Sequence, residues 1–157
     1  MEKPSELSID LPDETSTVDL GRRLGGVLPR SGIVFLSGEL GAGKTTLVRG
    51  VLRSLGHVGA VKSPTYTLCE PYSIGDDASI CHFDLYRLGQ AEELEFLGFR
   101  DYLSSGSLLL IEWPERAAGW LPAPDIEIRL NHCDSGRICD LLGYGDRGQT
   151  CLVELAA

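Results

Sequence analysis

Gly38-Glu39-Leu40-Gly41-Ala42-Gly43-Lys44-Thr45 constrains this chain more than any other stretch. It reads G-x-x-x-x-G-K-T, the Walker A phosphate-binding pattern. The glycines let backbone N–H groups turn inward and approach phosphate oxygens with no side chain in the way. Lys44 has the reach for β- and γ-phosphates, and the Thr45 hydroxyl suits a Mg²⁺ ion bridging them. Both flanks argue for a true loop over a chance glycine-rich turn. Ile33-Val34-Phe35-Leu36 is a short apolar, partly β-branched run that predicts a buried strand. Thr46 to Leu55 predicts a helix, with Leu47, Val51 and Leu55 at helical spacing. Its N-terminus would point at the phosphates and add its dipole to the amide cradle.

The 157 residues suffice for one α/β domain with a full core. No apolar run approaches the roughly 20 residues that span a bilayer. The opening Met1-Glu2-Lys3-Pro4-Ser5-Glu6 has no basic segment followed by an apolar core, so a cytoplasmic protein is expected. Cys69, Cys81, Cys133, Cys139 and Cys151 are odd in number, scattered, and form no C-x-x-C pair. Reduced thiols are expected rather than a disulfide framework or a metal cluster of His132, Cys133 and Cys139. The formal net charge of −9 argues against autonomous binding to a nucleic-acid backbone, which needs a basic face.

Ahead of the loop, Leu11 to Ser16 reads as a turn opening a helix. Asp13, Thr15 or Ser16 can cap it, and Leu20, Leu24, Val27 and Leu28 line one face to about Pro29. Gly21 and Gly25 weaken that helix or let a neighbour pack closely. Glu14 has two readings, an acid favoured in a first helical turn or a group near the nucleotide. After the loop helix, Lys62-Ser63-Pro64-Thr65-Tyr66-Thr67 is either a Pro-led turn into a strand or a switch segment. In the second case Thr65 and Thr67 are placed to sense the γ-phosphate. Lys62 reads as a solvated lysine.

Tyr66 to Ile74 and Ser79 to Leu85 predict paired strands around a polar turn, Gly75-Asp76-Asp77-Ala78. Asp84, where the second strand ends, is a metal- or water-orienting candidate. Gln90 to Leu97 predicts a short acidic helix stopped by Gly98, with Phe99 and Tyr102-Leu103 packing back on the core. Ser107 to Glu112 is a second continuous apolar strand ending in a carboxylate, as a Walker B strand does. Trp113 follows it, an indole able to stack on adenine or to serve as a rim residue. Trp120 reads as structural. Asp125 to Leu130 alternates as a half-exposed strand, Arg137 to Tyr144 predicts another, and Gln149 to Leu155 fits strand or helix equally. The expected architecture is P-loop NTPase-like: a central, largely parallel sheet flanked by helices, with an antiparallel hairpin contribution.

Four ordered blocks go further: Gly38 to Thr46, Ser63 to Thr67, His82-Phe83-Asp84-Leu85-Tyr86-Arg87, and Ile111-Glu112-Trp113. Together they resemble the bacterial TsaE (YjeE) family, from about Leu11 to Leu130; the tail, 131–157, lies outside the likeness. The resemblance implies an ATPase with ATP and Mg²⁺ as cofactors, needed to make N6-threonylcarbamoyladenosine in tRNA. It implies work with a TsaB–TsaD complex, tRNA being met only through that complex, and no membrane. It places Glu39, Leu40, Gly41, Ala42, Gly43, Lys44, Thr45 and Thr46 on the nucleotide, with Glu39 standing where the family usually has Asp. It also implies Thr45 and Glu112 on the metal, Lys44, Asp84 and Glu112 in catalysis, Trp113 next to adenine, Glu14 approaching the nucleotide, and Thr65 and Thr67 in a switch-like segment.

Two rivals share the loop. A small-molecule kinase would need a second pocket and an Arg-bearing lid; Arg87, Arg100 and Arg116 are available, yet no compact R-x-x-R appears. A GTPase would need N-K-x-D, and the only asparagine, Asn131, precedes His132, while Asp140-Leu141-Leu142-Gly143 comes late for D-x-x-G. A third reading, ATP as a pure assembly signal, differs from an ATPase only in rate.

Overall fold

The structure is a computed structural model that describes residues 3–75 and 78–157. Met1, Glu2 and the two central residues of the expected polar turn, Asp76 and Asp77, lie outside the described residues. One seven-stranded sheet runs in the order β1-β7-β6-β2-β5-β4-β3. Its strands are β1 (Ser5–Leu11), β2 (Gly32–Ser37), β3 (Cys69–Ile74), β4 (Ala78–Asp84), β5 (Leu108–Glu112), β6 (Ile126–Cys133) and β7 (Gly136–Gly143). The four central strands, β6, β2, β5 and β4, are parallel to one another. Antiparallel pairs close both flanks, β3 against β4 on one side, β6 against β7 and β7 against β1 on the other.

The apolar runs of β2 and β5 are buried on both faces because helices cover both. Val34 and Leu36, with Leu108 and Leu110, meet α1 (Glu14–Val27), α2 (Lys44–Ser54) and α5 (Gly145–Ala156). Ile33, Leu109 and Ile111 meet Phe83 from β4 and, across the other layer, Leu94 and Phe99 of the short helices α3 (Glu93–Phe96) and α4 (Phe99–Ser104). The helix predicted over Gln90 to Leu97 is therefore a single turn. Gly98, at φ 77°, ends it and starts the next.

Asp13 is the N-cap of α1: its carboxylate accepts from the Ser16 amide at 2.8 Å, and the Ser16 hydroxyl accepts from the Asp13 amide at 3.1 Å. The glycines of α1 serve close packing, since a methyl group on Gly21 would stand 2.9 Å from Gly50 Cα of α2. The loop helix begins at Lys44, two residues earlier than predicted. The strand predicted from Tyr66 begins only at Cys69, because Thr65 to Leu68 form a turn with Leu68 at φ 66°. β1 was not foreseen, and the ambiguous C-terminal stretch is helix, burying Gly148, Cys151, Leu152 and Leu155 at helical spacing. Residues beyond Asn131 thus share the sheet and the core with the rest. Trp120 is 44% exposed and does not line the cavity at the phosphate-binding loop. Cys81, Cys139 and Cys151 are buried as small core side chains, and burial pushes the Cys139 thiol up to about 12. Among the described residues no His, Cys, Asp or Glu cluster is arranged to hold a metal, the imagined His132–Cys133–Cys139 group included. Among the described residues no helix is long and apolar enough to cross a membrane.

Candidate functional site

Parallel pairing decides where the acids go. In register, Leu36 of β2, Glu112 of β5 and Asp84 of β4 form one row across three strands. That row is the C-terminal edge of the parallel strands, where β2 gives way to the loop and its neighbours lie on opposite sides of it. In open α/β sheets a ligand crevice forms at such a point. The loop turns there with Gly41 at φ 79° and Gly43 at φ 105°, conformations a side chain would strain.

A cavity of about 250 Å³ opens over the row. The loop and the start of α2 line it with Leu40, Gly41, Gly43, Lys44, Thr45 and Thr46; Ser63, Thr65, Asp84, Glu112, Trp113 and Arg137 complete it. A larger cavity of about 420 Å³ lies elsewhere, between Leu28, Pro29, Leu55 and Ile80. Among the described residues that line it Arg30 alone is charged, and no carboxylate is there to hold a metal. The smaller site is chosen on chemistry, not size.

Lys44 is buried, with Nζ donating to the carbonyls of Gly38 and, at 3.5 Å, Glu39. The Trp113 ring centre stands 4.0 Å from the same ammonium, within cation–π range. Burial pushes the Lys44 pKa down, and the carboxylates of Glu112, Asp84 and Glu115 pull it partly back. Asp84 is also buried. Its Oδ2 accepts from the Ser63 and Thr65 hydroxyls, each at 3.3 Å, and its Oδ1 from the Tyr86 amide at 3.0 Å. Glu112, 3% exposed, meets His82 Nε2 through Oε2 at 2.6 Å. Directly after it Trp113 takes φ 57°, a left-handed conformation uncommon outside glycine, while its amide still donates to Leu36 O at 3.3 Å. That turn carries the indole over Lys44.

Some expected residues fall outside this cavity. Thr67 is exposed and does not line it, whereas Thr65 does; Lys62 is exposed, in keeping with a solvated lysine. Glu39 contributes its carbonyl only, accepting from Lys44 and from the Ala42 amide at 3.0 Å. The Ala42 side chain is buried in the core. Glu14 sits in the first turn of α1, 3.6 Å from Arg49, and lines a neighbouring cavity of about 260 Å³ with Pro12, His132 and Arg137. Glu14 is thus an acid in a first helical turn and lies outside the cavity over the acids.

Two residues were not singled out from the sequence. Arg137, at the start of β7, donates to Gly41 O at 3.2 Å and borders both cavities. His82 lies beneath the acids. For Arg137 no local motif exists, and only the strand order brings it to the loop. For His82 the signal was a histidine inside an apolar strand, two residues before a functional acid.

A family model described as threonylcarbamoyl adenosine biosynthesis protein TsaE matches residues 11–139. The chain is 45% identical over 147 residues to the tRNA threonylcarbamoyladenosine biosynthesis protein TsaE of Haemophilus influenzae, covering 90% of this chain and 92% of that one. Its likeness to the protein of the same description from Streptomyces coelicolor is 39% over 146 residues, covering 88% and 98%. The fold matches the crystal structure of Bacillus subtilis YdiB with a TM-score of 0.83, over 99% of this chain and 97% of that one, at 23% identity.

Proposed function

The chain belongs to the TsaE family of tRNA threonylcarbamoyladenosine biosynthesis, and from that premise we propose that it binds and hydrolyses Mg·ATP at the Gly38–Thr46 loop. Acting with a TsaB–TsaD complex, it would let that complex turn over repeatedly, with tRNA met through the complex. The observation that carries this reading is the row of Asp84 and Glu112 beside Lys44, across a cavity rimmed by the loop.

The donor set fits a magnesium ion. Thr45 and Glu112 offer hard oxygen ligands on one cavity, with no thiolate or imidazole among its lining residues. Bound there with the phosphates, Mg²⁺ would neutralise charge on the β- and γ-oxygens. The chain's own residues do the rest. Lys44 and the loop amides stabilise negative charge developing on the transferred phosphoryl group. Asp84, its carboxylate steadied by Ser63, Thr65 and the Tyr86 amide, orients the attacking water. Water adds to the γ-phosphorus as its bond to the β-phosphate oxygen breaks, giving ADP and phosphate. Trp113, seated over the Lys44 ammonium at the rim of the cavity, offers its indole face to the bound nucleotide.

The arginines that a kinase lid would need are engaged elsewhere: Arg100 pairs with Glu95 at 2.9 Å, Arg87 lies over Tyr66, and Arg116 over Tyr86. The test is ATP turnover by Lys44→Ala, Asp84→Ala and Glu112→Ala proteins, with and without TsaB–TsaD. Each substitution should abolish turnover and leave the fold intact. Full activity in Glu112→Ala would overturn its assignment, and a phosphorylated metabolite as product would favour the kinase.

A further inference from the structure

We infer that His82 is a positioning residue that holds the Glu112 carboxylate in its working orientation, an inference that rests on the Mg·ATP reading of the site. Register gives the geometry. β4 and β5 run parallel with His82 opposite Leu110 and Asp84 opposite Glu112. Alternate residues of a strand share a face, so Ile80, His82 and Asp84 stand on the same side as Leu108, Leu110 and Glu112, the side covered by α1 and α2. His82 is thus one step below the acids, diagonal to Glu112, and fully buried.

On that face Ile80, Leu108 and Leu110 beside it are apolar, while Glu70 stands opposite it on β3. A leucine at position 82 would bring no polar atom of its own to satisfy, though it would leave Glu112 Oε2 without this partner. The imidazole instead leaves Nδ1 buried without a hydrogen-bond partner among the described residues. An unpaired buried polar atom costs stability, so it calls for a compensating role. What the ring gains is the contact of Nε2 with Glu112 Oε2 at 2.6 Å. A carboxylate only accepts, so Nε2 carries a proton and donates it, an assignment made from the hydrogen-bond inventory.

The consequence falls on Glu112. Three side-chain torsions would otherwise let its carboxyl group rotate. With Oε2 held by His82, Oε1 is the oxygen left for the cavity that Glu112 shares with Thr45. Carboxylates that ligate metals are commonly oriented by such a hydrogen-bonded neighbour.

The experiment uses the full chain with His82 replaced by Leu, Gln or Asn. Calorimetric titration with ATP, in excess EDTA and over a Mg²⁺ series, needs no turnover. His82→Leu should weaken the Mg²⁺-dependent part of binding by about 10–100-fold and leave binding in EDTA unchanged. The Gln amide reaches the position of Nε2 and should restore most of the loss, whereas the shorter Asn should not. This Gln–Asn contrast decides the matter even if the Leu protein fails to fold. In ¹⁵N-histidine-labelled wild-type protein the Nε2–H resonance should be shifted downfield and should move on Glu112→Gln. Wild-type Mg²⁺ dependence in His82→Leu, or Gln no better than Asn, overturns the role of His82. ATP binding that ignores both Mg²⁺ and Lys44→Ala overturns the site reading itself.

Discussion

The phosphate loop is only as well placed as the helix behind it, and α2 is held by an unusually close seam with α1. Replacing Gly21 by alanine tests that seam. A methyl group there would lie 2.9 Å from Gly50 Cα and 3.0 Å from Val51 N, and nearer still to the Leu47 carbonyl oxygen, where ordinary contact begins at 3.4 Å. All three are backbone atoms, so no side chain can swing aside and the helices must part. Overpacking of this kind costs about 1–3 kcal/mol, the upper end applying to a backbone obstacle. Alanine returns about 1 kcal/mol of helix propensity. The net loss is about 2 kcal/mol, a fall of about 4–8 °C in Tm for a chain of this size. Gly26 is the control, on the same helix with nothing within 4 Å of an added methyl. Gly26→Ala should gain about 1 kcal/mol and raise Tm by about 2–4 °C. Circular dichroism melts of the two proteins measure the difference. Because α2 carries Lys44, Thr45 and Thr46 in its first turn, Gly21→Ala should also weaken nucleotide binding, and Gly26→Ala should not. A Gly21→Ala protein that melts at or above Gly26→Ala would refute the argument that backbone contact sets the seam.

The two threonines of the 63–67 segment should separate: Thr65→Val, which removes a hydroxyl from Asp84, should slow turnover in a steady-state assay, and Thr67→Val, on an exposed residue, should not. Arg137→Ala should raise the nucleotide Kd about tenfold in calorimetry, a loss of about 1.4 kcal/mol; an unchanged Kd would remove Arg137 from the site. The α1 cap should show in the pH dependence of melting. Hydrogen bonds from the Ser16 amide and hydroxyl hold the Asp13 carboxyl below its ordinary 3.8, so its contribution is complete above that value and is lost as pH falls through the lower folded value. An Asp13→Ser protein, capped without a titrating group, should therefore lose less in Tm between about pH 5 and about pH 3.

How much of this was legible depended on whether the signal was local. The strand–loop–helix unit, the acid at the end of β5 and the capped start of α1 each carry their own residue pattern within a few positions, and each stands where expected. β1 carries a local signal, Leu7, Ile9 and Leu11 alternating with Glu6, Ser8 and Asp10; β7 pairs its edge, and the apolar face packs on the core under α1 and α5. The short first strand of the hairpin was overextended because Tyr66 and Thr67 have strand-favouring side chains, and the turn donating Leu68 N to Pro64 O overrides them. Arg137 was out of reach altogether. Its contact with Gly41 depends on β7 lying two strands from β2 and starting at the loop end of the sheet, which no single stretch encodes.

The charges around the cavity explain why the loop alone would be a weak site for a triphosphate. Its charged lining residues are two cations, Lys44 and Arg137, and two carboxylates, Asp84 and Glu112, in a chain whose formal charge is −9. Nothing in that balance attracts a polyanion from a distance. Close-range donors must supply the attraction, namely loop amides freed by Gly41 and Gly43 and an ammonium already stripped of water by burial. The acids then repel phosphate oxygens unless a divalent cation stands between them. On this reading Asp84 and Glu112 set the condition for nucleotide entry rather than merely assist afterwards, and the bond from His82 determines how that condition is met.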